Sequence, residues 1–191
     1  MTDAGTLVRA ARKSRGLTQQ RLAERTRIDQ ARVSRSERGR DAEFSTVARL
    51  LAGAGHRLYS APTQRGDAAT AAAEIRGHLR LGDRERALRA LLQLNDDLVA
   101  EHGLVRGVLG LAEPEPTRDP VWDAAIAGLV AWRLREEGLP VPEWVNRPAR
   151  FLTAPRGLDV DPSDPVPPLT EVPDALAERG VLVWRDTFTS V

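Results

Sequence analysis

Apolar residues recur at three- and four-residue spacing through the N-terminal third of the chain, which predicts a series of short amphipathic helices. The first helix is expected over residues 6–15, and three more are expected after the capping residues Thr18, Asp29 and Ser45. Phe44 directly precedes the last of these caps, so we expect it to pack back onto its helix as a hydrophobic staple.

Residues 17–39 contain the most informative part of this pattern. Their two predicted helices are joined by a tight turn that buries Ile28, and Val33 anchors the second helix on its apolar face. Gly39 then ends the second helix in the left-handed conformation. Two short helices held at a fixed angle in this way are typical of a helix-turn-helix unit.

The polar face of the second motif helix presents side chains that can read a DNA sequence. In the major groove a glutamine can bind adenine and an arginine can bind guanine, while an alanine methyl group can contact thymine. Gln19 opens the first motif helix, where the positive end of the helix favours a phosphate, and two arginines near the following turn can neutralise other phosphates. The predicted DNA-binding residues are Gln19, Gln30, Ala31, Arg32, Arg35, Arg38 and Arg40.

The charge of the chain is divided unevenly, although its net value is only +1. Residues 1–60 contain 13 Lys and Arg against 6 Asp and Glu, whereas residues 61–191 contain 15 against 21. An arginine-rich helix is by itself often an ordinary solvated face. Here the basic excess coincides with the helix-turn-helix pattern, which favours double-stranded DNA as the partner of that segment.

Residues 7–59 resemble the helix-turn-helix domains of phage Cro and CI repressors, the XRE family. The resemblance lies in Leu-Thr-Gln at 17–19, Leu-Ala at 22–23, Ser-Arg at 34–35 and Glu-Arg-Gly at 37–39. Ser36 departs from the family pattern, which commonly has Ile or Leu there. The resemblance implies a lambda-repressor-like domain of four or five helices that binds a two-fold operator as a homodimer, with half-sites about one helical turn apart. By the same resemblance, the residues that read bases are Gln30, Ala31, Arg32 and Arg35.

Two further helices are predicted after a linker at residues 61–69. Gly82 and Asp83 separate them as a break and a cap, so they form an antiparallel pair over residues 70–112. The second of these helices is expected to break near Asn95.

Two segments are candidates for a homodimer contact. One is the leucine stripe over residues 88–98, which is either a dimer face or part of the intramolecular core. The other is the stretch 56–60, which is expected to be extended.

Residues 113–191 have a different character, because they contain 12 of the 13 prolines and all four tryptophans. Asp119 and Pro120 mark a strong helix start. That helix is followed by irregular, proline-rich segments and by a predicted short strand at 181–184. The tryptophans either build one small core or remain partly exposed to bind a partner protein.

Residues 138–145, Phe151 and residues 179–181 are similar to a C-terminal region that follows such DNA-binding domains in actinobacterial, antitoxin-like regulators. This resemblance implies a cognate toxin protein as a partner. No site residue is carried over from it.

Other chemistry finds little support in the sequence. The chain has no cysteine and only three histidines, which lie far apart, and no nucleophile elbow, phosphate loop or calcium loop is complete. We therefore expect no enzymatic activity, no metal site and no cofactor. No apolar run reaches the roughly 18 residues of a membrane span, and no signal sequence is visible, so a cytoplasmic protein without membrane contact is expected.

These patterns together predict a mainly α protein of three parts. Residues 1–62 form a helix-turn-helix DNA-binding domain, residues 70–112 a helical pair for dimerisation or linkage, and residues 113–191 a Trp- and Pro-rich, partner-binding domain with at most a short strand. The predicted function is a sequence-specific transcriptional regulator, which is a repressor or an autoregulating antitoxin of a toxin–antitoxin pair. The alternative is a regulator that senses a small molecule in a pocket of the C-terminal domain.

Overall fold

Helical segments fill most of the chain that the computed structural model describes, namely residues 4–39, 43–58, 60–161 and 163–189. The prediction of a mainly α protein is confirmed. Within these ranges the α-helices are α1 (Ala4–Ser14), α2 (Gln19–Thr26), α3 (Gln30–Ser36), α4 (Phe44–Gly53), α5 (Ala68–Arg80), α6 (Arg84–Ala100), α7 (Gly103–Leu111), α8 (Pro120–Glu136) and α9 (Asp174–Ala177). Short 3₁₀ helices lie at Glu143–Asn146, Pro148–Arg150, Leu169–Glu171 and Arg185–Phe188.

Side-chain caps start α2 and α3 where the sequence predicts them. The hydroxyl of Thr18 accepts a hydrogen bond from the backbone N–H of Arg21 at 3.1 Å, and the carboxylate of Asp29 accepts one from Arg32 N–H at 2.8 Å. Gly39 follows α3 with φ 73°, in the left-handed region that favours glycine. The first four helices enclose a core made of Val8, Ala11, Leu22, Ala23, Ile28, Val33, Val47, Leu50, Leu51 and Ala54.

The predicted start of α4 is wrong by two residues. Glu43 occupies the cap position and its side chain makes no capping hydrogen bond, so Ser45 lies inside the first turn. Phe44 is then the first helical residue and its surface is 76% exposed. The predicted staple is therefore also wrong, because a staple requires an apolar residue that precedes the cap.

Helices α5 and α6 form the predicted antiparallel pair, separated by Gly82 at φ 73° and capped by Asp83. Helix α5 starts at Ala68, within the segment predicted as a linker. The break expected near Asn95 is absent, because the Asn95 side chain finds tertiary partners: it donates to the carbonyl of Phe188 at 3.1 Å and accepts from Arg133 Nε at 2.8 Å. Its polar groups are therefore satisfied without disturbing the helix backbone.

Helix α8 is the central element of the remaining chain. Asp119 caps it and Pro120 is its first residue, as predicted. All residues from Val121 to Ala131 are buried, as expected for a helix that is apolar on every side. It packs against α5, α6, α7, α9 and two of the 3₁₀ helices. No described helix has both the length and the apolar character needed to cross a membrane.

The four tryptophans occupy two kinds of position. Trp122 and Trp144 are buried in the core around α8, whereas Trp132 and Trp184 are half-buried, and Trp132 packs against that core. Trp144 Nε1 donates to the carbonyl of Gly110 at 3.0 Å, which connects the segment after α8 to α7.

Asp123, in the first turn of α8, holds the proline-containing segment that precedes the helix. Its carboxylate accepts a hydrogen bond from the backbone N–H of Thr117 at 2.7 Å and lies 3.7 Å from Arg150 Nη1. Burial raises the pKa of Asp123 above its ordinary value, and the hydrogen bond from Thr117 opposes that shift. Arg150 in turn donates to the carbonyl of Pro114 at 3.0 Å.

The strand predicted at residues 181–184 is wrong. Val181 makes a single parallel bridge with Arg156, and no ladder extends from it in the described residues. Pro155, directly before Arg156, lacks the N–H group that a longer ladder would need.

The structure contains two separate apolar clusters, and helices α1 and α5 lie against each other between them. The first contains the helix-turn-helix residues, and the second extends from Ala68 to Phe188, so α5 and α6 share a core with α8. Glu115 reinforces the contact, since its Oε2 lies 3.8 Å from Arg9 Nε on α1 and 3.0 Å from Arg76 Nη1 on α5. The three boundaries expected from sequence stay predictions.

Gly128 tests how closely α8 is packed. A Cβ atom there would lie 2.7 Å from Leu176 Cδ2 and 3.1 Å from the carbonyl oxygen of Ala175. We expect Gly128→Ala to lower the free energy of unfolding by about 1–3 kcal/mol, because overpacking outweighs the gain in helix propensity. Gly77→Ala is the matched control on α5, where a Cβ would meet no atom within 4 Å, and it should raise stability by up to about 1 kcal/mol. Urea unfolding followed by circular dichroism measures the unfolding free energy of each variant. Equal changes in the two variants would contradict the close packing of α8 at Gly128.

Candidate nucleic-acid interface

The turn between α2 and α3 sets the angle of the two motif helices. Arg27 ends α2 in the left-handed conformation at φ 54°, and its backbone N–H bonds to the carbonyl of Ala23. Ile28 follows and is buried between the helices, as predicted, with only 7% of its surface exposed. Val33 is completely buried on the inner side of α3. The outer side of α3 consequently faces solvent.

That outer side forms an open depression together with the start of α2. Residues 30, 34 and 38 lie four apart on α3 and the turn after it, so their side chains share one face. No residue of the C-terminal half lines the depression in the described part of the chain. We call this surface the reading face, and its lining residues are Gln19, Gln30, Ala31, Ser34, Arg35 and Arg38.

The side chains of the reading face are mostly free to bind a ligand. Gln30, Ala31 and Arg35 are exposed, and the guanidinium of Arg35 makes no hydrogen bond or ion pair within the described residues. Arg38 is also exposed, and its Nε donates to the carbonyl of Ser34 at 3.2 Å. The face therefore offers amide, methyl, hydroxyl and guanidinium groups side by side, which are the groups that contact base edges in a major groove.

A buried carboxylate beneath this face fixes Gln19. Glu37, at the end of α3, receives a hydrogen bond from Gln19 Nε2 at 2.9 Å and another from Arg12 Nη2 at 2.9 Å. Arg12 Nε bonds to the second oxygen of the same carboxylate. The Gln19 amide nitrogen carries two hydrogens, so one remains directed away from Glu37.

Arg12 and Glu37 form an ion pair that is buried where α1, α2 and α3 meet. Only 7% of the Arg12 side chain and 2% of the Glu37 side chain are exposed. Arg12 Nη1 also donates to the carbonyl of Leu17, which precedes α2, at 2.7 Å. Arg9 Nη2 donates to the carbonyl of Glu37 at 3.0 Å. The bidentate arrangement satisfies both charges, which a buried ion pair needs in order to be tolerated.

Arg32 does not line the reading face. The Arg32 side chain is directed towards α4, where its Nη2 donates to Thr46 Oγ1 at 3.0 Å and lies 3.6 Å from Glu43 Oε2. Arg40 lies outside the described residues. Of the seven residues predicted to bind DNA, the structure therefore brings together Gln19, Gln30, Ala31, Arg35 and Arg38.

Sequence reasoning missed two features of this site. Ser34 lies on the reading face, and its position four residues after Gln30 was a usable signal. The pairing of Arg12 with Glu37 had no such signal, because the two residues are 25 positions apart and lie on different helices. Within the described residues, no group of three or more His, Asp or Glu side chains is arranged to hold a metal ion.

The buried pair predicts a characteristic result in a double-mutant cycle. Glu37→Gln should lower the free energy of unfolding by about 3–5 kcal/mol, because it leaves the Arg12 charge buried without a counter-ion. The combination of Arg12→Met with Glu37→Leu should be less destabilised than the single Glu37→Gln variant, since neither charge is then buried. Urea unfolding of Arg12→Met, Glu37→Leu and the double variant completes the cycle, and losses of unfolding free energy that simply add would show that the two side chains act independently.

Residues 8–53 match the family model of helix-turn-helix domains, which covers about a quarter of the chain. No curated protein and no solved structure matches the chain significantly. The proposed likeness of the C-terminal region to antitoxin-like regulators thus has no support from these comparisons. The match runs from α1 to the end of α4 and so contains the whole reading face. The N-terminal segment is a helix-turn-helix domain of the XRE type, which supports a DNA-binding regulator of transcription.

Proposed function

We propose that the chain is a sequence-specific transcriptional regulator that inserts α3 into the major groove of a double-stranded operator. The observation that carries this proposal is the reading face, which is open to solvent and is not covered by any described residue of the C-terminal half. Since the groove admits a helix, an uncovered helix with polar groups on its outer side can dock without a rearrangement of the domain.

Each group of the reading face has a matching base edge. Gln30 can bind adenine through its amide, Arg35 can bind guanine through its guanidinium, and the methyl group of Ala31 suits the methyl group of thymine. The hydroxyl of Ser34 can donate to or accept from either purine or pyrimidine edges. Because the Arg35 guanidinium has no partner to give up among the described residues, we assign it the largest share of the sequence preference.

Phosphate contacts would position the helix. Gln19 can give its second amide hydrogen to a phosphate while Glu37 holds the first. Arg38 and Arg40 are proposed as further phosphate contacts. Arg32 would first have to leave Thr46 and Glu43, but Glu43 is 77% exposed, and exposed ion pairs of this kind contribute at most about 1 kcal/mol. A phosphate can therefore compete for Arg32.

We propose that the regulator acts as a homodimer and as a repressor. A single reading face of this size contacts few base pairs. Two copies on a two-fold operator double the number of contacts, because each copy uses the same face on its own half-site. A dimer that covers its operator excludes the polymerase by occupancy alone. Repression, including repression of its own promoter, thus needs no activity beyond binding.

An antitoxin role would add a second partner to this scheme. In that variant the region 113–191 masks a cognate toxin protein while α3 binds the operator. The half-buried Trp132 and Trp184 are the aromatic side chains that such a partner could cover. Purification of the full chain from its native cells, followed by mass spectrometry, tests the variant: recovery of the chain without a stoichiometric second protein would argue against it.

A ligand-sensing regulator is the second candidate function. A cleft of about 220 Å³ is lined by Leu88, Leu182 and Trp184 together with Asp159, Asp161 and Asp164 of the segment before α9. It is smaller than the usual 300–1,000 Å³ of small-molecule sites, and Trp184 is the one tryptophan at its wall. A screen for ligands that raise the melting temperature tests this candidate.

Selection of bound duplexes from a random pool tests the proposed reading roles. We expect wild type to select a two-fold sequence, and we expect Arg35→Ala to lose its preference at one base position in each half-site, with a cost of about 1–3 kcal/mol for the best site. Arg38→Ala should weaken binding to all sequences alike and reduce the slope of log affinity against log salt by about one, because it removes a phosphate contact.

Arg89→Ala is the matched control for these variants. Arg89 is an exposed arginine on α6, 75% exposed, and its nearest acidic group is Glu85 at 3.9 Å. The control variant loses the same charge and should bind as wild type does. If Arg35→Ala kept the wild-type preference at every position, α3 would not be the reading helix.

A further inference from the structure

Helix α7 carries an apolar stripe that is largely exposed to solvent. Leu104, Val108 and Leu111 lie at positions i, i+4 and i+7, so their side chains form one line along the helix. Their surfaces are 86%, 45% and 63% exposed. Three of the nine large apolar residues that are exposed in the described ranges therefore belong to one nine-residue helix. A cluster of this kind usually marks an interaction surface.

The exposure of this stripe does not arise because α7 is loosely attached. The opposite side of α7 is buried at Arg106, Leu109 and Gly110. Arg106 donates to three carbonyl groups, those of Arg133 at 3.0 Å, Val99 at 3.1 Å and Glu101 at 2.7 Å. The helix is thus held firmly against α6 and α8, and it presents the stripe in a fixed orientation.

The composition of the stripe determines what kind of partner it suits. No charged side chain lies among Leu104, Gly107, Val108 and Leu111, so the surface offers nothing to the phosphates of DNA. Gly107 lies beside the stripe, and a Cβ atom added there would meet no atom within 4 Å. A partner helix could therefore approach the backbone of α7 closely at this point.

A second copy of α7 matches these features. In a two-fold contact the same patch must complement itself. In an antiparallel pair centred near residue 107, Leu104 of one copy lies opposite Leu111 of the other, and the two Gly107 residues lie near the axis. An antiparallel pair also places the positive N-terminal end of each helix beside the negative C-terminal end of its partner. The leucine stripe of α6 is not available for this purpose, because Leu91, Leu94 and Leu98 are buried in the intramolecular core.

We propose that two copies of this chain associate through the outward face of α7, with Leu104, Val108 and Leu111 packed against the same residues of the second copy around Gly107. The inference rests on the homodimer of the proposed function and locates its contact. One helix face covers less than the roughly 800 Å² per partner of a standard interface. Self-association in solution is therefore weak, and the two half-sites of an operator strengthen it by holding both copies together.

Engineered cysteines provide a direct test, because the chain contains none of its own. In an antiparallel pair, residue 107 lies near the two-fold axis and faces its own copy, within reach of a disulfide. We expect full-length Gly107→Cys to form a disulfide-linked dimer under mild oxidation, at least ten times faster than Gly77→Cys. Gly77 is the matched control, since its Cβ position on α5 is equally free of contacts.

Charge insertion provides a second and independent test. Leu104→Glu places a carboxylate in the stripe near the N-terminal end of α7, where the helix dipole tolerates it, so the variant should fold. Sedimentation equilibrium of the full chain should show a dissociation constant raised at least ten-fold. Leu81→Glu is the control, because Leu81 is 80% exposed outside α7, and it should dimerise as wild type does.

The outcomes separate this inference from the function on which it rests. Binding to a duplex with one half-site reports the reading face alone, and Leu104→Glu should leave it unchanged while it abolishes cooperative binding to two half-sites. If half-site binding is intact but Gly107→Cys and Gly77→Cys cross-link equally slowly, the α7 contact is refuted and the proposed function stands. If no duplex is bound at all, the proposed function fails instead.

The contact is also refuted if the wild-type chain stays monomeric at every concentration and on a duplex with two half-sites. That result is expected if a different protein covers the stripe.

Discussion

The carboxylate of Glu37 is the group on which the DNA-binding unit depends. It is almost completely removed from water, and its oxygens are shared between Arg12 on α1 and Gln19 on α2. Because Glu37 itself follows α3, one side chain connects three helices. A buried charge tolerates little displacement of its partners, since each lost hydrogen bond leaves a desolvated group unpaired. The angle between α2 and α3 and the position of Gln19 are therefore set together.

The same arrangement separates the structural side chains of α3 from those proposed to recognise DNA. Val33 and Glu37 are buried and pack α3 against the domain, whereas Gln30, Ala31 and Arg35 are exposed and do not contribute to that packing. The outer residues can therefore differ between proteins of this type without cost to the fold, which is the property a reading helix needs in order to acquire a new sequence preference.

Local signals explain what could be predicted from the sequence. Thr18, Asp29 and Asp83 cap their helices as expected, because a cap depends on residues within one turn. The burial of Ile28 and Val33 and the exposure of Gln30 and Arg35 follow from periodicity alone.

Features that depend on distant neighbours could not be predicted in this way. Arg32 and Arg35 have the same side chain on the same helix, but Thr46 of α4 draws Arg32 away from the reading face. Asn95 remains helical because Phe188 and Arg133, far along the chain, satisfy its side chain. Helix α7 has no side-chain cap and contains three glycines, which disfavour a helix prediction. Which of its apolar residues are exposed depends on the tertiary contacts that bury the opposite face, so the stripe could not be predicted from the sequence.

Glu115 has a mechanical consequence. By pairing with Arg9 of α1 and with Arg76 of α5, it joins the DNA-binding unit to the rest of the chain through a packed contact in addition to the covalent connection. Two DNA-binding units connected only by flexible linkers could bind recognition sequences at many separations. In the proposed homodimer, units fastened in this way would keep a set distance and rotation about the duplex axis. Insertion of half a helical turn of DNA between the two recognition sequences would place those sequences on opposite sides of the duplex, beyond the reach of one dimer.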